Sequence, residues 1–169
     1  MDLVPSPSQT IGPFFHVYLS AYYGALGNLA GPDTKGERIR LAFRVLDGDG
    51  APLNDAMLEL WQADVGGFGR LPTDEQGACV FESVKPGRVA GIPQAPHVNV
   101  SVFARGLLNR LVTRVYFAND PANAEDPVLA LVPEDRRETL MAQADAARPG
   151  LWNFEIHLCG DRETVFFDI

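Results

Sequence analysis

The chain has 169 residues, of which 46% are hydrophobic, enough to build one domain with a sizeable core. Its 14 basic and 22 acidic residues give a formal net charge of −8. An acidic surface repels phosphate backbones and anionic membranes, so neither nucleic acid nor a membrane is expected as a partner. Any anionic ligand would have to be attracted by individual arginines.

The cysteines and the N-terminus indicate a reducing compartment. Cys79 and Cys159 each lie in an apolar, strand-like run, which predicts two free thiols acting as small buried hydrophobic groups. The first residues have neither a basic start nor an apolar stretch of signal-peptide length, and no run is long enough for a membrane helix. We therefore expect a soluble, cytoplasmic protein.

Residues 1–36 form the first of two predicted regions. They are rich in proline, glycine and serine, yet they carry the aromatic residues Phe14, Phe15, Tyr18, Tyr22 and Tyr23. This mixture is too apolar for a solvated tail and predicts an arm that packs on its own domain or on a partner. Residues 37–169 are then expected to form a single domain.

The pattern after residue 36 is that of short strands. Ile39, Leu41, Phe43 and Val45 alternate with more polar residues, the period of a half-buried strand. Turn residues separate further predicted strands, which are Ala56–Gln62, Gly77–Val84, His97–Ala104, Arg110–Phe117, Trp152–Cys159 and Glu163–Asp168. The pattern predicts an all-β fold, an antiparallel β-sandwich. One short helix is predicted over 134–147, because acidic residues begin that stretch and Pro149-Gly150 ends it.

The sequence has no phosphate-binding glycine loop, nucleophile elbow or Cys-x-x-Cys pair. A His-x-His triplet on a strand can grip a metal, because both rings point to one face. Here the triplet is His97-Val98-Asn99, and an amide oxygen is a poor ligand for a transition metal. The residues alone therefore favour a hydrogen-bonded histidine at position His97 over a metal ligand. Arg105 follows a predicted strand, and the residues alone favour a solvated arginine there over a contact with a ligand.

Five strings occur in one order along the chain: Ser8-Gln9-Thr10-Ile11-Gly12-Pro13-Phe14, Leu60-Trp61-Gln62-Ala63-Asp64, Val84-Lys85-Pro86-Gly87, Pro96-His97-Val98-Asn99-Val100-Ser101 and Arg114-Val115-Tyr116-Phe117. Together they resemble the intradiol ring-cleavage dioxygenases. The resemblance covers nearly the whole chain, from about Pro7 to the segment 164–168.

Iron-binding members of that family hold ferric iron with two tyrosines and a His-x-His pair, and three of these four ligands are missing here. No tyrosine occurs in the short loop 64–69, Val89 occupies the second tyrosine position and Asn99 replaces the second histidine. Gln94 stands where the family has an assisting arginine. A lone histidine, His97, cannot retain ferric iron, which needs anionic oxygen ligands. The resemblance thus implies a vestigial iron site, with no metal and no catalytic residue in this chain.

The resemblance further implies a subunit role. In one branch of the family, which cleaves protocatechuate with O2, an iron-free alpha chain pairs with a beta chain of the same fold inside a larger oligomer. The beta partner would bind the Fe(III). Thr10, Gly12 and Pro13 match the segment that lines the partner's substrate cavity, and Arg105 matches an arginine near the substrate carboxylate.

Three alternatives stay open on the sequence alone. The chain could be an iron-free sandwich of this lineage that acts only as a binding or assembly module. It could be a structural or carrier sandwich unrelated to catalysis, which would leave the five ordered strings unexplained. The third alternative, an active single-chain intradiol enzyme, conflicts with the missing iron ligands.

Overall fold

The computed structural model describes residues 26–168. In chain order its strands are β1 (Arg38–Leu46), β2 (Met57–Gln62), β3 (Gly67–Pro72), β4 (Ala78–Val84), β5 (His97–Phe103), β6 (Leu111–Phe117), β7 (Met141–Ala144) and β8 (Leu151–His157). Short 3₁₀-helices lie between β6 and β7, over Pro121–Glu125, Leu129–Leu131 and Glu134–Leu140. The predicted all-β fold is confirmed.

The strands hydrogen-bond in the order β3-β2-β5-β6-β7-β8-β1-β4. The short strand β7 joins two halves, because it pairs in parallel with β6 and antiparallel with β8. The halves β3-β2-β5-β6 and β8-β1-β4 pack face to face as a sandwich around a common core. Most pairs are antiparallel, as predicted, whereas β1 with β8 and β6 with β7 run in parallel.

Phe43 lies at the centre of this core. Its side chain is 1% exposed, and its ring meets those of Phe81 and Phe154 edge-on, each at 5.8 Å between centroids. The opposite half of the sandwich contributes fully buried aliphatic residues such as Leu58 and Val100. The alternating apolar residues of β1 therefore face the core, as the period of two in a β-strand requires.

Two predicted elements are wrong. The stretch predicted as a helix over 134–147 is a 3₁₀-helix only as far as Leu140 and then becomes β7, because burial of Leu140 and Ala142 and pairing with two neighbouring strands override helix propensity. Glu163–Asp168, predicted as a strand, lies along β6 without forming one, although the Phe167 amide donates to the Val112 carbonyl at 2.8 Å.

The segment predicted as a short loop, 64–69, already contains the start of β3. Its glycines give little strand propensity, so the sequence signal is weak. These glycines instead allow another segment of the backbone to pass close to β3, since a Cβ on Gly67 would lie 2.2 Å from the Leu29 carbonyl oxygen. The residues that approach belong to segment 26–36, whose Leu29 and Gly27 exchange backbone hydrogen bonds with Glu82 on β4. The rest of the predicted arm, residues 1–25, lies outside the described residues.

Both cysteines are free thiols, as predicted. Cys79 on β4 is buried, and desolvation raises the pKa of its thiol to about 12. The predicted burial of Cys159 is wrong, because β8 ends at His157 and the residue falls in the exposed turn that follows. No helix within residues 26–168 is long and apolar enough to cross a membrane.

Candidate functional site

The register between β5 and β6 places three polar side chains side by side. On β5, Val98, Val100 and Val102 are buried in the core, so the alternate residues face away from it. β6 pairs Asn99 directly with Arg114 and pairs His97 with Tyr116. An imidazole, an amide and a guanidinium thus share one patch of the sheet's outer face.

A pocket of about 190 Å³ opens over this patch. Beside His97, Asn99 and Arg114, its walls are formed by Ala63, Asp64, Gly87, Val89, Ile92, Gln94 and Ala95. The three predicted vestigial iron positions, Val89, His97 and Asn99, therefore lie in one pocket together with Gln94. The connection between β4 and β5 carries Val89 and Gln94 to the strand that holds the other two.

His97 is oriented by a backbone contact. Its Nδ1 lies 2.8 Å from the Ala95 carbonyl oxygen. A carbonyl only accepts, so Nδ1 carries the proton and Nε2 of the neutral ring is left as an acceptor. Burial lowers the pKa of His97, and the positive charge of Arg114 lowers it further, against raising contributions from the Ala95 hydrogen bond and from Asp126 and Asp64.

The residues of this pocket do not fit ferric iron. Val89 offers no donor atom, Asn99 offers a neutral amide, and the guanidinium of Arg114 is a permanent cation that repels a metal ion. Tyr116, the one tyrosine among residues 26–168, is unsuitable too, because burial raises its pKa to about 12 and its hydroxyl donates to Asp126 at 3.2 Å. Within residues 26–168, no group of three or more His, Cys, Asp or Glu side chains could hold a metal.

Asp126 fixes the pocket wall from behind, a role that its sequence context does not reveal. Its buried carboxylate accepts the Ala95 amide at 2.7 Å and the Tyr116 hydroxyl. It also accepts the amides of Val128 and Leu129, each at 2.8 Å. In the sequence, Asp126 precedes a proline and resembles a turn residue. Only the fold shows that one carboxylate ties the 3₁₀ segment to the pocket.

Arg105 lies at the opposite end of β5. Its Nε is 2.9 Å from Asp55 Oδ2, and its side chain is 86% exposed, whereas that of Asp55 is 9% exposed. Neither terminal nitrogen of the guanidinium has a partner among the described residues, so the fork that recognises carboxylates points into solvent. Asp55 was not singled out in the sequence, because it lies 50 residues before Arg105. Thr10, Gly12 and Pro13 lie outside the described residues.

Solved dioxygenases share this fold. The dioxygenase domain of a dioxygenase and carbohydrate-binding protein fusion from Streptomyces sp. SirexAA-E superposes with a TM-score of 0.65 at 23% identity, over 96% of this chain and 100% of that one. At this identity the likeness concerns the fold. The class of fold that it defines is the β-sandwich.

Sequence comparison defines the family. Residues 12–160 match the dioxygenase family. The chain is 43% identical to the protocatechuate 3,4-dioxygenase alpha chain of Burkholderia cepacia, over 99% of this chain and 98% of that relative. It is 33% identical to the beta chain from the same organism, over 64% of this chain and 56% of the relative. The chain belongs to the dioxygenase family that contains the protocatechuate 3,4-dioxygenase chains, which confirms the resemblance read from the five strings.

The alignment with the alpha chain also bears on chain length. It extends over 197 positions, whereas this chain has 169 residues. The alignment therefore contains gaps where the relative has additional residues. The short loop 64–69 and the compactness of the chain agree with that difference.

Proposed function

We propose that this chain is the iron-free alpha subunit of a protocatechuate 3,4-dioxygenase. A beta subunit of the same fold would hold the Fe(III), and the two chains together would bind protocatechuate. The reaction inserts both atoms of O2 as the ring opens between its two hydroxylated carbons, giving 3-carboxy-cis,cis-muconate. The ring-opening chemistry would belong to the beta subunit.

The observation that carries this proposal is a pocket lined by the residues that match the family's iron ligands, of which only His97 is retained. Val89, Asn99 and the cationic Arg114 occupy a site where ferric iron requires anionic oxygen ligands. The similarity to an alpha chain over almost its full length supports the subunit type. The weaker similarity to a beta chain supports a partner of related fold.

Arg105 is the residue of this chain that we propose to contact the substrate. Asp55 holds its Nε and leaves both terminal nitrogens directed outward, an arrangement suited to a bidentate bond with a carboxylate. In this proposal the segment with Thr10, Gly12 and Pro13 lines the same cavity, where a rigid backbone poor in side chains would let a flat ring approach.

A cytoplasmic location belongs to the same proposal. A buried thiol at Cys79 and an exposed, unpaired thiol at Cys159 are typical of a reducing compartment. Several heterodimers would assemble into a larger oligomer.

Iron content and oxygen uptake test the proposal directly. The full chain is expressed alone and together with an iron-binding beta-type homologue, and bound iron and protocatechuate-dependent oxygen consumption are measured. We expect both only in the complex, with one iron per pair of chains. Stoichiometric iron and turnover in the lone chain would refute the subunit assignment. Full activity of the homologue without this chain would favour a binding or assembly module instead.

A further inference from the structure

Arg114 is a half-buried cation without a counter-ion among residues 26–168. Its Nη1 lies 3.4 Å from the Tyr116 hydroxyl, and its guanidinium carbon lies 6.0 Å from the centre of the Phe167 ring. No carboxylate of the described part of the chain is within ion-pair distance of it. Arg88 and Arg148, two arginines more exposed to solvent than Arg114, each have a carboxylate partner.

Such an arrangement is costly unless something compensates it. Removing a charged group from water has a large desolvation penalty, which proteins ordinarily offset with an opposite charge and with hydrogen bonds. The Tyr116 hydroxyl is a long and neutral partner, and its own proton is directed at Asp126. Arg114 lines the open pocket, which is the place where an external anion could reach its guanidinium.

The rest of the pocket suits a flat apolar body rather than a bare inorganic ion. Four of the residues that line it are aliphatic, namely Ala63, Val89, Ile92 and Ala95. Its volume of about 190 Å³ is well below that of drug-sized sites and equals the volume of roughly six water molecules in the liquid. One six-membered ring with a small substituent is the size of ligand that these walls can enclose.

We propose that this pocket is a second ligand site, which binds a small aromatic carboxylate through the guanidinium of Arg114. The ring would pack against the aliphatic walls, and the carboxylate would supply the missing counter-charge. His97 Nε2, left as an acceptor by the Ala95 contact, can accept a hydrogen bond from a hydroxyl group of a hydroxylated ring. In this proposal, the position that holds a metal cation in iron-binding members of the family binds an anion in this chain.

Two acidic residues lie near the pocket, and both accept hydrogen bonds from other groups of the chain. Asp64 lies on the exposed rim, where its Oδ2 accepts the Gly87 amide at 2.7 Å. Asp126 is buried behind the wall and accepts hydrogen bonds from three backbone amides and one hydroxyl. Both charges are engaged by donors, and neither is paired with Arg114.

Binding of benzoate to the ¹⁵N-labelled full chain tests the site. Benzoate has no hydroxyls that could chelate iron, benzamide is its neutral analogue, and acetate is a carboxylate without the ring. We expect benzoate to shift the amide signals of the pocket segments 87–99 and 113–115, and to bind at least tenfold more tightly than benzamide or acetate. Equal binding of benzoate and benzamide, or shifts confined to other parts of the chain, would overturn the proposal.

Variants then assign the interaction to Arg114. Arg114→Gln is expected to weaken benzoate binding at least tenfold, whereas Arg110→Gln, an exposed position outside the pocket, leaves it unchanged. If Arg114→Gln does not fold, Val89→Trp provides an independent test, because it fills the pocket from the wall and keeps the guanidinium. Benzoate affinity that survives both pocket variants would show that the ligand binds elsewhere.

Discussion

The contact between Asp55 and Arg105 makes a quantitative prediction about substrate binding. Because the Arg105 side chain is 86% exposed, solvent screens this ion pair, and it should stabilise the fold by less than about 1 kcal/mol. Its value would lie in orientation, since an unrestrained arginine loses up to about 2 kcal/mol of side-chain entropy when it is fixed on a ligand. Asp55 restrains part of that freedom before the substrate arrives.

We therefore expect the KM of the complex for protocatechuate to rise by different amounts in two variants, more in Arg105→Ala than in Asp55→Asn. Arg105→Ala removes a charge-assisted hydrogen bond of about 1.5–3 kcal/mol, which corresponds to a rise of roughly 10- to 100-fold. Asp55→Asn keeps the guanidinium and removes only its restraint, which at about 1 kcal/mol corresponds to roughly fivefold. In both variants kcat should change little, because the contact is the same in the ground state and the transition state.

The assay is oxygen uptake by the complex, with protocatechuate and with catechol, which lacks the carboxylate. Catechol kinetics should be insensitive to both substitutions, and Asp55→Asn should add nothing in the Arg105→Ala background. Glu125→Gln is the matched control, since it removes the acidic partner of another exposed arginine, Arg88. An unchanged KM in Arg105→Ala, or an equal rise for catechol, would refute the proposed contact.

Three further predictions concern the fold. Gly77 and Gly50 both have positive φ, +70° and +79°, but an added Cβ would meet the Val45 carbonyl oxygen, at 2.6 Å, only at Gly77. Gly77→Ala should therefore lower the free energy of unfolding, measured in urea, by about 2 kcal/mol more than Gly50→Ala does. Equal losses in the two variants would contradict the close contact. Iodoacetamide should alkylate Cys159 alone in the folded chain at pH 8, and Cys79 only after unfolding. Because burial raises the pKa of Cys79 from 9.0 to about 12, its contribution to stability is present below pH 9 and is lost as the pH rises towards 12, which alkaline unfolding curves of a Cys79→Ala variant would check.

The sequence predicts the strands well where alternation is strong. Six of the predicted strands, among them Ala56–Gln62 and His97–Ala104, recur within one or two residues at each end. β3 and β7 were missed for different reasons: β3 contains glycines that fit a close backbone approach, and β7 lies in a run of good helix formers. Tertiary pairing with two neighbours decides the second case, and no local pattern records it.

The candidate site divides in the same way. The resemblance located Val89, His97 and Asn99 as one group, and they line one pocket. The residues that fix the pocket wall come from distant segments. Asp126, for example, accepts a hydrogen bond from the Ala95 amide, 31 residues away in the sequence. The lack of a counter-ion for Arg114 among residues 26–168 is a property of the folded chain. Pairing of charges over such separations depends on register, which a single sequence leaves undetermined.

The two candidate sites cannot serve one ligand, and this separation bears on the subunit proposal. β5 extends over six residue steps from His97 to Phe103, about 20 Å at roughly 3.3 Å per residue, and Arg105 lies beyond its far end. Asp55 holds Arg105 there, two residues before the start of β2. An arginine so placed cannot reach a ring bound beside His97. If Arg105 recognises a carboxylate near an iron, that iron must therefore belong to another chain, which is what an alpha subunit requires.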